Sequence, residues 1–253
     1  MVSPTPPRKE PQADAGPDII YGTHPVEAAL RNPNRKPLAL WVTRNALNRL
    51  ETFNIPLSPV VIHPKDLDRR LGADAVHQGI LLEASPLPQP RLDQISREGT
   101  VVVLDQITDP HNVGAIFRSC AAFAATALVT TARHSPESSG VLFKAASGAA
   151  EFVPFVKVTN LARALEELKS YGFYVAGLES SAERTIEEAG LAPPLALVMG
   201  AEGKGLRRLT RETCDGLYRL DLPGAIKSLN VSNACALALH SVRGRTPGAA
   251  AKT

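Results

Sequence analysis

The sequence has few cysteines and no long apolar run, and both absences limit what the protein can be. Three cysteines occur among 253 residues, at the widely separated positions Cys120, Cys214 and Cys235. An odd, scattered set fits neither a disulfide framework nor a zinc site and is typical of a reducing compartment, so we expect a cytoplasmic protein. No apolar run approaches the roughly 18 residues of a membrane span, and the N-terminus lacks the apolar core of a secretory signal. We therefore expect no membrane partner.

Common catalytic and nucleotide-binding motifs are also missing. The sequence contains no G-x-S-x-G, no H-E-x-x-H and no paired cysteines, which disfavours hydrolases and metal enzymes. The glycine-rich stretch GAEGKGL at 200–206 is not a P-loop, because only two residues separate Gly200 from the Gly-Lys pair and Gly205 takes the place of Ser or Thr. It also lacks the dinucleotide pattern G-x-G-x-x-G. We expect no bound metal, and a nucleotide-binding metabolic enzyme is disfavoured.

What the sequence does contain is typical of a folded protein with an ordinary core. Hydrophobic residues make up 44% of the chain and charged residues 21%, and the length suits one large domain or two smaller ones. The formal net charge is +3. This mild excess of positive charge is compatible with an RNA partner but is common in proteins that have none.

Composition divides the chain into two blocks. Residues 1–17 and 244–253 are predicted to be disordered tails, because they are rich in proline, small and charged residues. A first block at 18–84 and a second block at 100–243 are predicted to fold. Between them, 85–99 is predicted to be a linker, because the prolines of PLPQP can neither pair in a sheet nor continue a helix.

Alternating strand and helix patterns predict an α/β fold. In the first block the predicted strands are 38–42, 60–63 and 79–84. In the second block they are 101–105, 126–131, 152–158, 173–178, 195–200 and 217–222. A helix is predicted after the N-cap Asn160, with Leu161, Leu165 and Leu168 on one face. Strands that are apolar on both faces and separated by helices indicate a parallel sheet covered on both sides.

The parallel sheet predicts where a ligand binds. In open α/β sheets, ligands lie outside the carboxyl ends of the strands. The loops concerned are those after Asp105, Leu178, Gly200 and Leu222. Three of them carry polar residues that core packing does not require.

The loop after the first of these strands enters a helix with the sequence DPHNVGAIFRSC, 109–120. At 100° per residue, one side of this helix is an apolar stripe made of Val113, Ile116, Phe117 and Cys120. Arg118 projects from the opposite side, which is equally consistent with an ordinary surface arginine. Asn112 stands at the predicted start of the helix, and His111 before it is interpreted as a loop-packing residue rather than a base.

The other two loops are weak signals when each is taken alone. The glycines of GAEGKGL would let backbone approach a ligand closely, but they would also suit a plain turn. In the loop that follows Leu222, Ser228 and Asn230 precede a strongly apolar helix. Either residue would serve as the N-cap of that helix, which leaves the other unexplained.

Together, the three loops resemble the motifs of the SpoU/TrmH family of RNA ribose 2'-O-methyltransferases. The first motif, Asp-Pro-x-Asn-x-Gly and then Arg, matches Asp109, Pro110, Asn112, Gly114 and Arg118. The second, Gly-x-Glu-x-x-Gly-Leu, matches Gly200, Glu202, Gly205 and Leu206. The third, Ser-Leu-Asn-Val-Ser, matches 228–232. The resemblance covers about residues 100–242, and the first block is similar to the family's RNA-binding extension.

This resemblance implies a fold and an assembly that periodicity alone does not predict. The fold would be a SPOUT methyltransferase domain, a mostly parallel sheet whose C-terminal segment forms a trefoil knot. A small N-terminal α/β RNA-binding domain, similar to the L30e/L7Ae fold of ribosomal proteins, would precede it. The family forms homodimers with active sites at the interface, so a homodimer is expected.

The resemblance also implies S-adenosylmethionine as the cofactor. Its expected contacts are Gly177, Met199, Gly200, Leu220, Leu222 and Leu229. The third motif departs from the family, which has Ile-Pro-Met and seven steps from that proline to the serine. Here Pro223 lies five steps before Ser228 and the methionine is missing. The departure predicts a cofactor loop that is two residues shorter.

The implied reaction is transfer of a methyl group to a ribose 2'-hydroxyl, with a guanosine of large-subunit (23S) rRNA as the substrate. The candidate catalytic residues are Arg118, Asn112, Glu202, Ser228 and Asn230. Arg118 would act either as a base assisted by an RNA phosphate or as a clamp on that phosphate, and the clamp is chemically easier because a guanidinium resists deprotonation.

The other candidates would support this chemistry. Asn112 would position Arg118 or the ribose, Glu202 would order the loops by accepting hydrogen bonds, and Ser228 and Asn230 would complete the pocket. Two alternatives remain open. One is a tRNA ribose 2'-O-methyltransferase, and the other is a non-catalytic rRNA-binding assembly factor on the same fold.

Overall fold

A computed structural model of the protein describes residues 16–50, 55–134 and 139–243. Within these residues the chain forms ten strands, arranged in one sheet of four and one of six. The predicted tail at 244–253 and nearly all of the tail at 1–17 lie outside the described residues.

The first block is built on the four-stranded sheet. Its strands are β1 (Asp18–Tyr21), β2 (Pro37–Val42), β3 (Val60–Val61) and β4 (Ile80–Ala84). Their order across the sheet is β1-β4-β2-β3, with β4 antiparallel to both neighbours and β3 parallel to β2. The strand β1 was not predicted, because its four residues are too few to give a periodic pattern. The predicted strand 60–63 is shorter in the structure, because His63 caps the next helix.

Three helices cover the two faces of this sheet. They are α1 (Thr23–Arg31), α2 (Arg44–Leu50) and α3 (Pro64–Leu71). The first two bury Val26, Ala46 and Leu50 in the main core of the protein, whereas α3 packs Leu67 into a small separate cluster with Tyr21. The first block is therefore an α/β layer structure with helices on both sides.

The second block contains a six-stranded sheet in which every pairing is parallel. Its strands are β5 (Thr100–Asp105), β6 (Ala127–Thr131), β7 (Phe155–Val158), β8 (Tyr174–Leu178), β9 (Leu195–Gly200) and β10 (Gly216–Tyr218). Across the sheet the order is β10-β8-β9-β5-β6-β7. This confirms the parallel α/β sheet that the sequence predicted.

Helices cover both faces of the six-stranded sheet. They are α4 (Pro110–Ala122), α5 (Gly140–Ala146), α6 (Leu161–Ser170), α7 (Arg208–Thr213) and α8 (Val231–Arg243). Alternate residues of β5 face opposite ways, so Val102 and Leu104 pack with α4, α5 and α8, whereas Val101 and Val103 pack with α6. The N-cap Asn160 and the buried leucines of α6 are as predicted.

Two predicted strands of this sheet are shorter than expected. The strand predicted at 152–158 begins at Phe155, because a 3-10 helix at Ala149–Glu151 and then Pro154 precede it. The strand predicted at 217–222 ends at Tyr218, so Leu220 and Leu222 lie in the loop that follows. Both differences come from tertiary packing that an apolar pattern does not encode.

The segment predicted as a linker, 85–99, is partly built into the second block. It contains a 3-10 helix at Leu92–Gln94, and both Leu92 and Ile95 are buried against the α6 side of the sheet. The prolines correctly predict that this segment begins without regular secondary structure. They do not predict that its second half packs against the second block. None of the helices in the described ranges is long and apolar enough to cross a membrane.

Candidate functional site

The helix α4 presents the first motif. Asp109 is its N-cap, because Asp109 Oδ1 accepts a hydrogen bond from the backbone N–H of His111 at 3.0 Å, and Pro110 is the first helical residue. The predicted apolar stripe is confirmed, since Val113, Ile116, Phe117 and Cys120 are all buried. His111 is exposed, so its interpretation as a packing residue is wrong.

The second motif forms a tight turn after β9. The backbone N–H of Gly205 donates to the carbonyl of Ala201 at 2.8 Å, which closes the loop on itself. A Cβ added to Gly200 would lie 2.3 Å from the carbonyl carbon of Gly205 and 2.6 Å from the nitrogen of Leu206. Because both neighbours are backbone atoms, only glycine fits at position 200 without moving the loop.

Three of the predicted catalytic residues, one from each motif, meet in what we call the carboxylate–amide cluster, formed by Asn112, Glu202 and Asn230. Glu202 Oε1 accepts from Asn230 Nδ2 at 2.8 Å, from the backbone N–H of Val231 at 3.1 Å and from Asn112 Nδ2 at 3.4 Å. Asn230 Nδ2 also donates to Asn112 Oδ1 at 2.9 Å. Glu202 therefore joins the loop after β9 to the N-terminal turns of α4 and α8.

The structure also shows which of Ser228 and Asn230 caps α8. Asn230 Oδ1 accepts from the backbone N–H of Ser232 at 2.9 Å, so Asn230 is the N-cap of α8 as well as a member of the cluster. Ser228 does not cap the helix. It is exposed and lines the cavity described next.

A cavity of about 780 Å³ lies at the carboxyl ends of β8 and β9, beside the cluster. Five of the six predicted cofactor contacts line it, namely Met199, Gly200, Leu220, Leu222 and Leu229. The sixth, Gly177, is not among the lining residues. A Cβ at Gly177 would lie 2.8 Å from side-chain carbons of Leu206 and Leu217, so the glycine is needed for packing behind the second motif, and its contact with the cofactor stays a prediction.

The cavity also contains charged residues that the sequence analysis did not single out. Glu179 follows β8 directly and pairs with Arg211 of α7. Lys227 donates to the carbonyl of Leu222 at 2.7 Å and thereby closes the loop before the third motif. Arg219 and Asp221 form a looser pair, with 3.7 Å between Nη1 and Oδ1. For Glu179, the position directly after the predicted strand 173–178 was the available signal.

Asp105 is a further residue that sequence reasoning missed. It ends β5, is fully buried, and accepts from both the backbone N–H of Arg207 at 2.9 Å and its Nε at 2.6 Å. These contacts fix the far end of the second motif to the sheet. A carboxylate that closes an apolar strand, as in VVVLD, was the signal, because buried charges are rare unless they are paired.

Arg118 is not brought to the cluster. It lies on the exposed side of α4, about 9 Å along the helix axis from Asn112 at 1.5 Å per residue. Within the part of the chain that the structure describes it has no hydrogen bond or ion pair, and it does not line the cavity. Asn112 uses its amide on Glu202 and Asn230 and makes no hydrogen bond to Arg118 of the same chain, and a role of Asn112 in positioning Arg118 or the ribose stays a prediction.

Two of the three cysteines, Cys120 and Cys214, are unsuited to act as nucleophiles. Burial raises the pKa of Cys214 to about 12, and its thiol donates to the carbonyl of Thr210 at 3.2 Å. A hydrogen bond with Cys235, together with burial, raises the pKa of the Cys120 thiol well above its ordinary value. All three cysteines are free. Over the described ranges no three acidic, histidine or cysteine side chains are grouped as metal ligands would be.

Sequence comparisons match both blocks to known families. The SpoU rRNA Methylase family matches residues 99–240, and the family described as RNA 2'-O ribose methyltransferase substrate binding matches residues 19–90. Two curated relatives are 23S rRNA (guanosine-2'-O-)-methyltransferases RlmB. The one from Pseudomonas putida is 39% identical over 89% of this chain and 96% of its own length. The one from Pseudomonas aeruginosa is 39% identical over 90% of this chain and 97% of its own length.

Solved structures show the same architecture. The SpoU methyltransferase AviRb from Streptomyces viridochromogenes, crystallised with AdoMet, superposes with a TM-score of 0.77 at 22% identity and covers 90% of each chain. A TrmH-family protein from Porphyromonas gingivalis superposes with a TM-score of 0.76 at 22% identity, and the match covers 91% of each chain. Motifs, fold and relatives agree, and the chain belongs to the SpoU rRNA methylase family.

Proposed function

We propose that the protein methylates the ribose 2'-hydroxyl of a guanosine in 23S rRNA, with S-adenosylmethionine as the methyl donor. The observation that carries the proposal is the carboxylate–amide cluster, in which one residue from each of the three family motifs meets beside a cavity. The RlmB relatives support the substrate, because their similarity extends over about nine-tenths of this chain and includes the first block.

The cavity is suited to S-adenosylmethionine. Its volume of about 780 Å³ falls in the range of roughly 300–1,000 Å³ that is typical of small-molecule sites. Met199, Leu222 and Leu229 line the cavity with apolar side chains, and Gly200 lines it where the second motif turns back on itself. When bound, S-adenosylmethionine supplies a methyl group made electrophilic by its sulfonium centre, so no metal is required.

The residues of this chain would align the ribose and help its hydroxyl lose a proton. Glu202 accepts hydrogen bonds from two motifs and so fixes the distance between α4 and α8. Arg118 would bind the RNA phosphate beside the target ribose, since its planar fork suits bidentate contact with phosphate. Ser228, which is exposed and lines the cavity, would donate a hydrogen bond to the ribose or accept one from it.

We further propose that the active protein is a homodimer and that Arg118 acts in the site of the partner copy. Arg118 is exposed and lies away from the cavity of its own chain. A symmetric dimer would repeat the same contact twice, so both sites would gain an arginine. The proposal reconciles the motif match of Arg118 with its distance from the cluster.

The finer features of the fold are proposals of the same kind. We propose a trefoil knot because the chain leaves β10 at the sheet edge and returns past the second motif to α8, which packs under β9 and α4. The first block is proposed to be an L30e/L7Ae-like RNA-binding domain. A cytoplasmic location is supported by three unpaired cysteines.

The departure in the third motif has a simpler explanation than a shorter loop. Seven steps before Ser228 lies Asp221, not Pro223. We therefore propose that Leu220-Asp221-Leu222 stands in place of the family's Ile-Pro-Met and that the loop keeps its length. Leu220 and Leu222 line the cavity, which supports this register.

Mapping of ribose methylation across total RNA, from cells with and without the gene, tests the function. The expected result is loss of one guanosine methylation in 23S rRNA, restored by the wild-type gene. Loss of a tRNA methylation instead would establish the tRNA alternative. Unchanged methylation together with defective large subunits would favour the assembly factor, and either result would overturn the proposal.

A further inference from the structure

Arg35 lies between the two blocks, buried, and its guanidinium group is surrounded by acceptors. It belongs to the turn between α1 and β2 and is only 4% exposed. Nη1 donates to Asp18 Oδ2 of the first block at 2.5 Å and to the carbonyl of Ser85, the first residue after that block, at 3.0 Å. Towards the second block, Nε and Nη2 donate to the two carboxylate oxygens of Glu151 at 3.1 and 2.7 Å. A bidentate pair of this kind fixes direction as well as distance.

Glu151 is held by a second residue of the first block. Asn32 Nδ2 donates to Glu151 Oε2 at 2.8 Å and to the Glu151 carbonyl at 3.3 Å. The Glu151 side chain is 2% exposed, so its charge is removed from water and depends on Arg35. Because a buried carboxylate is costly without its partner, the contact favours one arrangement of the two blocks.

The surfaces around this ion pair fit closely. A Cβ added to Gly140 would lie 2.4 Å from Cε1 of Tyr21, and one added to Gly148 would lie 2.7 Å from the Cβ of Ala28. The glycines belong to the second block and their neighbours to the first. One apolar core continues across the boundary, since residues of α1 and α5 share it. The blocks are therefore packed together rather than tethered.

A second polar contact joins α5 itself to the first block. Lys144 Nζ donates to Gln78 Oε1 at 2.8 Å, and the same oxygen accepts from the backbone N–H of Thr23 at 3.0 Å. The first block is therefore held by two separate polar contacts, one with Glu151 and one with Lys144, and each resists rotation of the block about the other.

We propose that Arg35 is a positioning residue: its pairing with Glu151 locks the first block in one orientation, so that RNA held there meets the cofactor cavity at a fixed distance. The inference rests on the proposed function, because it assigns the first block to RNA. Methyl transfer requires near-exact alignment of the ribose oxygen, so a loosened block lowers the rate even when RNA is fully bound.

Three full-length variants test the lock. Arg35→Met removes the guanidinium while keeping an unbranched side chain of similar reach. Glu151→Gln is milder, because the amide keeps the shape and one acceptor oxygen but loses the charge, and it serves if the first variant does not fold. The matched control is Lys36→Met, which removes an exposed positive charge at the neighbouring position.

Three quantities are measured for each protein. Hydrogen exchange by mass spectrometry compares residues 18–31 and 140–151 with residues 195–206. Calorimetry gives the affinity for S-adenosylmethionine. Single-turnover methylation uses a 23S rRNA fragment at saturating concentration.

For Arg35→Met and Glu151→Gln we expect faster exchange only in the first two segments, cofactor affinity within about twofold of wild type, and methyl transfer slowed by about tenfold or more. Lys36→Met should match wild type in all three.

A merely structural role gives a different pattern. Faster exchange at the interface with wild-type transfer at saturating RNA would overturn positioning, as would slower transfer with unchanged exchange. Unchanged exchange and unchanged transfer would show that there is no lock. The proposed function fails separately, if wild-type protein transfers no methyl group to 23S rRNA, and the exchange measurement still reports on the lock in that case.

Discussion

At the scale of single residues, the site contains side chains whose positions are fixed by hydrogen bonds to neighbouring residues of the protein. Glu202 is the centre of this arrangement, because one carboxylate oxygen accepts from Asn112, Asn230 and the backbone of Val231. The sequence predicted that Glu202 would order the loops by accepting hydrogen bonds; the structure shows which hydrogen bonds it accepts, and their effect on loop order stays a prediction. Which residue caps α8 could not be predicted, because Ser228 and Asn230 have nearly equal capping ability and only the packed geometry distinguishes them.

Arg118 offers the clearest separation of chemistry from folding. Its side chain is exposed and leaves the apolar stripe of α4 untouched, so Arg118→Ala should change the free energy of unfolding by less than about 1 kcal/mol. Methyl transfer should fall by about a hundredfold or more, the scale of losing an alignment or proton-transfer group. Single-turnover methylation with saturating cofactor and rRNA is the measurement.

A lysine at position 118 distinguishes a bidentate contact of the arginine with phosphate from a purely electrostatic one. Arg118→Lys keeps the positive charge but loses the planar fork. If the contact with phosphate must be bidentate, this variant should be nearly as slow as alanine. If charge alone matters, most of the rate should survive. Turnover near wild type for Arg118→Ala would leave Arg118 as an ordinary exposed helix residue.

The Cys214 thiol should be unreactive at neutral pH. Burial raises its pKa from 9.0 to about 12, so at pH 8 the thiolate fraction should be about a thousandfold smaller than in unfolded protein. Iodoacetamide labelling, followed by peptide mapping and compared with urea-unfolded protein, measures this. Because the folded pKa is the higher one, the thiol's contribution to stability is complete below pH 9.0 and is lost as pH rises towards about 12. Rapid labelling of folded protein at pH 8 would contradict the shift.

At the scale of elements, the sequence predicted most of the second sheet because its strands are continuous apolar runs between amphipathic helices. The errors in the predicted strands occur at the ends of the strands. Leu220 and Leu222 continue an apolar alternation, yet they line the cavity in a loop instead of extending β10. Apolar residues that face a ligand and apolar residues that face a core have the same pattern in sequence, and tertiary context decides between them.

The second-motif turn should tolerate no side chain at its first glycine. In Gly200→Ala the new Cβ would lie 2.3 Å from the Gly205 carbonyl carbon, so backbone must move and the loop that carries Glu202 must shift with it. We expect affinity for S-adenosylmethionine to fall at least about tenfold, equivalent to about 1.4 kcal/mol. Calorimetry on the folded variant is the measurement.

The loop before the third motif provides a matched control. Gly224 has no neighbour within 4 Å of an added Cβ and does not have a positive φ. Gly224→Ala should therefore bind cofactor as wild type does, with stability changed by no more than about 0.5 kcal/mol. Equal losses in the two variants would mean that general loop stiffening, not the close contact at Gly200, controls binding.

At the scale of the whole molecule, the sequence predicted two blocks but not how they join. Proline-rich composition suggests a tether, whereas the structure buries Leu92 and Ile95 in the second core and pairs Arg35 with Glu151 across the boundary. These partners are 116 residues apart in sequence. A single sequence carries no periodic signal for such a contact. The strands and the motifs could therefore be predicted from the sequence, whereas the packing of the two blocks could not.

Subunit complementation tests whether Arg118 works in the partner's site. In the proposed homodimer, every site of Arg118→Ala and of Glu202→Ala would lack one proposed catalytic group, so each variant alone should be nearly inactive. If Arg118 serves the partner, a heterodimer of the two variants has one site lacking both groups and one intact site. Random re-pairing makes half the dimers heterodimers, so the mixture should recover roughly a quarter of wild-type turnover. The variants are mixed in mild denaturant, refolded together, and compared with the same two proteins mixed without re-pairing. If Arg118 serves its own chain, each site of the heterodimer still lacks one group and re-pairing restores nothing.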